Sequence, residues 1–369
     1  MRIHLICVII SIDMDHQITP INGLVIMKLH IKSILYITLC CLFSQATYAE
    51  KDVQEELNVY SARKEALIKP LLDRFASEHD IKVNLVTGKA DALIERLNNE
   101  GKHSPADVLI TVDAGRLHRA KQAELLQPIQ DNSILGLAPE QYRDPDGYWL
   151  GLSMRARVII FDPNKVTATD LSTYENLADT KWKNKICIRS SNNIYNQSLV
   201  ASFIAHHGED TTQAWADKFV DNFARKPQGG DRDQVKAVAA GQCAIAVVNS
   251  YYLGKMINGS EDEQAAAAKV KLFWPNQNNH GTHVNISGIG ITKNASNVDL
   301  AQELIKFLYT KESQAWYADV NLEFPVISGV ASNPILTSWG AFKADTLNLS
   351  RLGELNPNAV QIMDKAKWR

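Results

Sequence analysis

The residues in this sequence best able to do chemistry are three tyrosines. Tyr251-Tyr252 is an adjacent pair that follows an apolar run, 244–248, and the cap-like Asn249-Ser250. Tyr195 stands in Ser190-Ser191-Asn192-Asn193-Ile194-Tyr195-Asn196-Gln197, which follows a second apolar run ending at Ile188 and opens a helical pattern in the same way. Open α/β sheets bind ligands beyond the carboxyl ends of their strands, where both segments fall. A phenol is a poor metal ligand while protonated, with a pKa of about 10. A trivalent cation supplies the field that removes the proton, and the phenolate is a hard oxygen suited to a hard ion such as Fe(III). Three phenolates also balance a 3+ charge. A tyrosine pair at a strand end is more often an aromatic wall, so the residues alone leave both readings open.

The elements that must position these side chains are legible in the hydrophobic pattern. Residues 57–60, 81–86 and 106–111 read as strands, separated by helical spacing over 65–78 and 91–99 and followed by a helix over 114–123. That alternation predicts a helix-covered, mostly parallel sheet. It resumes with strands at 158–161, 185–188, 244–248 and 287–292, and helices at 197–206, 212–223, 233–240, 301–309 and 311–319. Gly288 and Gly290 within one strand predict close backbone approach. The glycines of Gln228-Gly229-Gly230-Asp231 and Gly88-Lys89 lack the strand–loop–helix spacing of a phosphate-binding fingerprint and read as turns. His206-His207, His280 and His283 show no metal-ligand spacing to one another. Neither a nucleophile elbow nor a paired acid–base couple stands out, which argues against an enzyme.

The 369 residues are 45% hydrophobic and 22% charged, enough for two lobes with separate cores. A net charge of -2, interleaved along the chain, argues against nucleic acid as a partner. Residues 1–49 read as an export signal: a basic start at Met27-Lys28, an apolar run 33–43, and small residues before a cleavage point after Ala49. Met27 reads as the true start and the mature protein as periplasmic. Cys7, Cys40 and Cys41 leave with the signal, so Cys187 and Cys243 remain, to pair in an oxidising compartment or to sit as buried thiols. Each precedes its tyrosine by the same interval, so the two strand–loop units are expected side by side.

From about residue 57 to 326 the sequence resembles the periplasmic ferric-iron-binding proteins of bacterial and cyanobacterial iron(III) ABC transporters. The stretches that carry the resemblance are Val59-Tyr60-Ser61-Ala62-Arg63, residues 104–117, Leu152-Ser153-Met154-Arg155-Ala156-Arg157-Val158, residues 189–198, Val248-Asn249-Ser250-Tyr251-Tyr252, and residues 281–288. The resemblance implies the type II periplasmic-binding-protein fold: two α/β lobes joined by extended crossover strands, with the metal in the cleft. The lobes are expected at 50–155 plus 282–330 and at 156–281 plus 331–369. It further implies a monomer that delivers Fe(III) to an inner-membrane ABC permease, with Tyr195, Tyr251 and Tyr252 as ligands.

The sequence departs from the family after Tyr60-Ser61-Ala62-Arg63. Many members have His-Tyr there, both able to bind iron, where this chain has Lys64-Glu65. Glu65 is the candidate for a replacement oxygen, against an ordinary first-turn acid of a helix. Relatives fill missing positions with carbonate or another synergistic anion, and Arg155 is the expected anion holder through a charge-assisted fork. Arg63 and Arg157 are alternatives, and Asp91 is a further acid. The competing readings are a binding protein of this fold for another anionic or organic solute, and a secreted enzyme.

Overall fold

The computed structural model describes residues 54–369, so the expected signal segment lies outside the described residues. The chain begins with β1 (Glu56–Ser61), α1 (Lys69–His79), β2 (Lys82–Thr87), α2 (Ala90–Glu100), β3 (Val108–Val112) and α3 (Ala114–Gln122). β1 pairs in parallel with both β2 and β3, as the strand–helix alternation predicts. The expected helix from residue 65 is split: a single 3-10 turn, Glu65–Leu67, precedes α1. Pro70 at the start of α1 supplies a reason, since it lacks an N–H and restricts the residue before it.

β4 (Leu150–Phe161) is buried along its whole length. Its first half pairs antiparallel with β8 (Val284–Ile291) and its second half with β6 (Ile245–Asn249). β8 also pairs antiparallel with β3. β4 and β8 are therefore long crossover strands that stitch the first βαβ region to the next, giving the order β2-β1-β3-β8-β4-β6 and then β5 (Ile186–Cys187). The sheet is mixed beyond the parallel β1–β3 group, because crossover strands enter from the opposite direction. The glycines of β8 match their expectation: a Cβ on Gly288 would lie 2.6 Å from the Leu150 carbonyl oxygen.

The second half holds α4 (Ile194–His207), α5 (Glu209–Val220), α6 (Asp231–Ala239), α7 (Ser250–Ile257) and the short strand β7 (Lys271–Phe273). β5 and β6 pair in parallel, Ile186 opposite Ile245 and Cys187 opposite Ala246. The two strand–loop–helix units that carry the tyrosines do lie side by side. Cys187 and Cys243 form a disulfide between them, with Cα atoms 5.8 Å apart. After α8 (Val298–Leu308) and α9 (Lys311–Trp316), a π-helical turn, Tyr317–Asn321, leads to β9 (Phe324–Pro325) on the edge of β4. In the C-terminal segment Gly353 packs against His118 of α3, while Asn356 bonds Gln197 of α4.

Candidate functional site

Tyr251 and Tyr252 occupy the first turn of α7, directly after β6, and Tyr195 occupies the first turn of α4. Asn193 caps α4 by accepting from the Tyr195 N–H at 3.1 Å. The parallel β5–β6 pairing brings the helix starts together, so the Tyr195 and Tyr251 hydroxyls are 3.3 Å apart. The Tyr252 ring lies 4.3 Å from that of Tyr251. All three line a cavity of about 310 Å³. Helix N-termini favour negative charge, which suits phenolates.

Cations dominate the surroundings. Arg155, Arg189 and Arg157 stand 5.4, 5.5 and 6.0 Å from the centre of the Tyr195 ring. The cavity wall adds Arg63, Lys64, Arg232 and Lys255. Arg63 is paired at 3.1 Å with Glu323, a buried carboxylate that also accepts from Ser153. Burial pushes Glu323 upward, but Arg63 and Arg155 outweigh it and hold the carboxyl below its usual range. Arg232 pairs with Glu263 at 3.1 Å. Lys64 and Lys255 have no ion pair among the described residues, and burial with Arg63, Arg232 and Lys64 nearby holds the Lys255 ammonium down to about 8.

Burial favours the protonated form of Tyr251 and Tyr252. Burial pushes Tyr252 up to about 12, with Tyr195 and Asp231 adding to the effect. Burial and then the neighbouring Tyr195 and Tyr252 push Tyr251 well above 10, against a downward pull from Arg155.

The remaining sequence candidates are distributed otherwise. Glu65 is exposed in its 3-10 turn and does not line the cavity, because that turn directs Leu67 and the preceding Lys64 toward it. Arg155 lies behind the Tyr195 ring, in a space of about 10 Å³ shared with Asp113, Arg157 and His283, room for about one water. Its two terminal nitrogens lack hydrogen-bond partners, and one stands 3.7 Å from Asp113. That geometry makes it a buried charge behind Tyr195. The two terminal nitrogens of Arg157 are engaged by Asp231, Asn249 and Asn196. Asp91 pairs with Arg116 and Arg119, away from the cavity. Sequence reasoning missed Lys255, Arg232 and Glu323. Lys255 was within reach, because it stands one helical turn after Tyr251 on the same face; Glu323 had no local signal.

The bacterial extracellular solute-binding protein family matches residues 103–344. The chain belongs to that family. Iron uptake protein A1 of Synechocystis sp. is 47% identical over 317 residues, covering 86% of this chain and 88% of that protein. Among solved structures of the family, the Trichodesmium protein IdiA (FutA), in complex with iron and citrate ligands, superposes with a TM-score of 0.83 at 48% identity, covering 85% of this chain and all of that one. An open conformation of ferric iron-binding protein A from Mannheimia haemolytica superposes with a TM-score of 0.80 at 40% identity, covering 85% and 99%. The solute-binding protein described here thus has the type II periplasmic-binding fold, with two α/β lobes joined by the β4 and β8 crossovers. Among its described residues no helix is long and apolar enough to cross a membrane.

Proposed function

We propose that this protein captures ferric iron in the periplasm and delivers it, as a monomer and without catalysis, to an inner-membrane ABC permease. The observation that carries the reading is the convergence of Tyr195, Tyr251 and Tyr252 at two adjacent helix N-termini in one cation-lined cavity. Relatives described as an iron uptake protein and as an iron and citrate complex support it. The three phenols ligate as phenolates, their charge matching that of Fe(III) and their hard oxygens excluding softer ions. A synergistic anion such as citrate or carbonate completes the shell, drawn by Lys64, Arg232 and Lys255, with Arg155 acting from behind Tyr195. In this reading one lobe comprises 50–155 plus 282–330 and the other 156–281 plus 331–369, and the tyrosines capture iron from the second.

Phenolate-to-Fe(III) charge transfer gives such a complex an orange to red colour. Tyr195→Phe and Tyr251→Phe retain the ring and its packing while deleting the oxygen. Each is expected to shift or abolish the visible band and weaken iron retention, with an unchanged circular dichroism spectrum. Full colour and iron retention in both variants would refute the assignment.

A further inference from the structure

Away from the tyrosines, four segments bring three histidines and two carboxylates together. His206 and His207 end α4, His280 lies in the loop between β7 and β8, Glu175 opens the turn Glu175–Ala178, and Asp345 belongs to the C-terminal segment. One donor atom each from His206, His280 and Asp345 lie within 4.8 Å of one another, and the same holds for Glu175, His207 and His280. We propose that His206, His280 and Asp345 form a second metal site, for a divalent ion of the zinc type with water as its fourth ligand, while the His207–Glu175 pair flanks His280.

The geometry is close to what such an ion needs. Zinc binds imidazole nitrogen and carboxylate oxygen at about 2.0–2.2 Å in tetrahedral sites, which sets neighbouring donors roughly 3.4 Å apart. His206 Nε2 is 2.7 Å from Asp345 Oδ2, and His207 Nε2 is 2.9 Å from Glu175 Oε1, so each pair opens by well under 1 Å to admit an ion. The His206 and His280 rings are nearly parallel, with centroids 4.1 Å apart. Two imidazolium ions so placed repel, whereas two neutral imidazoles are what a metal takes.

Supporting contacts hold the donors in place. Asp345 is buried, and its Oδ1 accepts from the Leu347 N–H at 3.0 Å, which leaves Oδ2 facing His206. The fully buried Asn276 accepts from the Tyr174 N–H, donates to Glu175 Oε2 at 2.8 Å, and places its amide nitrogen 3.2 Å from His280 Nε2. The amide thus orients Glu175, while its second N–H occupies the His280 Nε2 lone pair, which a metal there takes over. The ordinary alternative is two separate histidine–carboxylate pairs. It leaves His280 without a carboxylate partner among the described residues, held by Asn276 and by stacking on His206. Imidazole and carboxylate select borderline ions, whereas phenolates select Fe(III), so this site is chemically independent of the proposed iron site.

The test uses the untagged mature chain, stripped with chelator, in a Tyr195→Phe/Tyr251→Phe/Tyr252→Phe background so that the cavity tyrosines cannot contribute. Equilibrium dialysis against zinc chloride is expected to give one Zn(II) per chain, and Co(II) to give the intense visible absorption of a tetrahedral centre. His280→Gln and His206→Gln should each weaken Zn(II) at least about tenfold, while His103→Gln on the surface should not. Should His280→Gln fail to fold, Asp345→Asn keeps the shape and carries the same expectation. No zinc bound at about 100 μM, or binding unchanged by all of these site substitutions, overturns the proposal.

Discussion

Iron capture by phenols is a competition with protons. Burial raises Tyr251 and Tyr252, so both are protonated at neutral pH, and in the proposed complex an incoming ion must displace those protons. Binding therefore releases protons, and affinity falls as pH falls. Arg155 opposes the burial effect at Tyr251 and sits under Tyr195. Its replacement by Met leaves Asp113 satisfied by Gly115 N–H, Ser198 and Asn285, so the fold is expected to survive. The pH at which the visible band is half-formed should move up by roughly one unit, equivalent to about 1.4 kcal/mol. Glu65→Gln, on an exposed turn, should leave that midpoint and iron affinity within about 0.5 kcal/mol. A pH titration of the coloured complex separates the cases. An unmoved midpoint in Arg155→Met, or a large loss in Glu65→Gln, would return the ligand role to the acid next to Lys64.

At the scale of elements, the side-by-side strand–loop units carry the site, and the disulfide binds them at their base. Cys187 and Cys243 are 56 residues apart, a loop whose cross-linking is worth about 4 kcal/mol by chain entropy. The mature protein should show no reactive thiol when unfolded without reductant. The Cys187→Ser/Cys243→Ser variant should melt roughly 10 °C lower, and two titratable thiols in the wild-type chain would dismiss the bridge. Much of this arrangement was legible in the sequence, because hydrophobic periodicity and cap residues are local signals. Asn249-Ser250 marked the helix start that presents Tyr251, whereas the helix read over 197–206 begins earlier, at Ile194, with Asn193 as its cap. The crossovers were legible only in part: β4 reads as one strand over 150–161, where the pattern predicted only 158–161, since Gly151, Arg155 and Arg157 break the apolar run. Long-range pairing was not legible at all. Nothing near Glu323 announces Arg63, 260 positions away, and nothing in the spacing of His206 and His280 announces that their rings stack. The short C-terminal helices Pro334–Ser338, Ser350–Glu354 and Asn356–Lys365 lacked a long enough periodic run to be read.

For the whole molecule, the cavity's charge provides a reason for it to open when empty and close when loaded. Lys64 approaches from the side of β1, whereas Arg232 and Lys255 approach from α6 and α7, on the opposite proposed lobe. Lys64 and Lys255 have no ion pair among the described residues, and their repulsion favours separation of the walls. In the proposed complex three phenolates balance Fe(III) and an anion neutralises the lysines, so the loaded cavity would lose the repulsion and gain ligand bonds. Both changes bias the same equilibrium, and a ligand shifts such an equilibrium only by its differential affinity for the two forms. The proposed lobes are linked through β4 and β8, and β4 changes partner from β8 to β6 between Ala156 and Arg157, where a hinge is expected. Small-angle scattering should show the radius of gyration falling when Fe(III) with citrate is added to the wild-type chain. Citrate alone, or added salt that screens charges over about 10 Å at 0.1 M, should give a smaller contraction. The Tyr195→Phe/Tyr251→Phe variant should respond to salt and citrate but show no further contraction with iron. Equal contraction by iron in that variant would mean that the phenolates do not drive closure, whatever holds the metal.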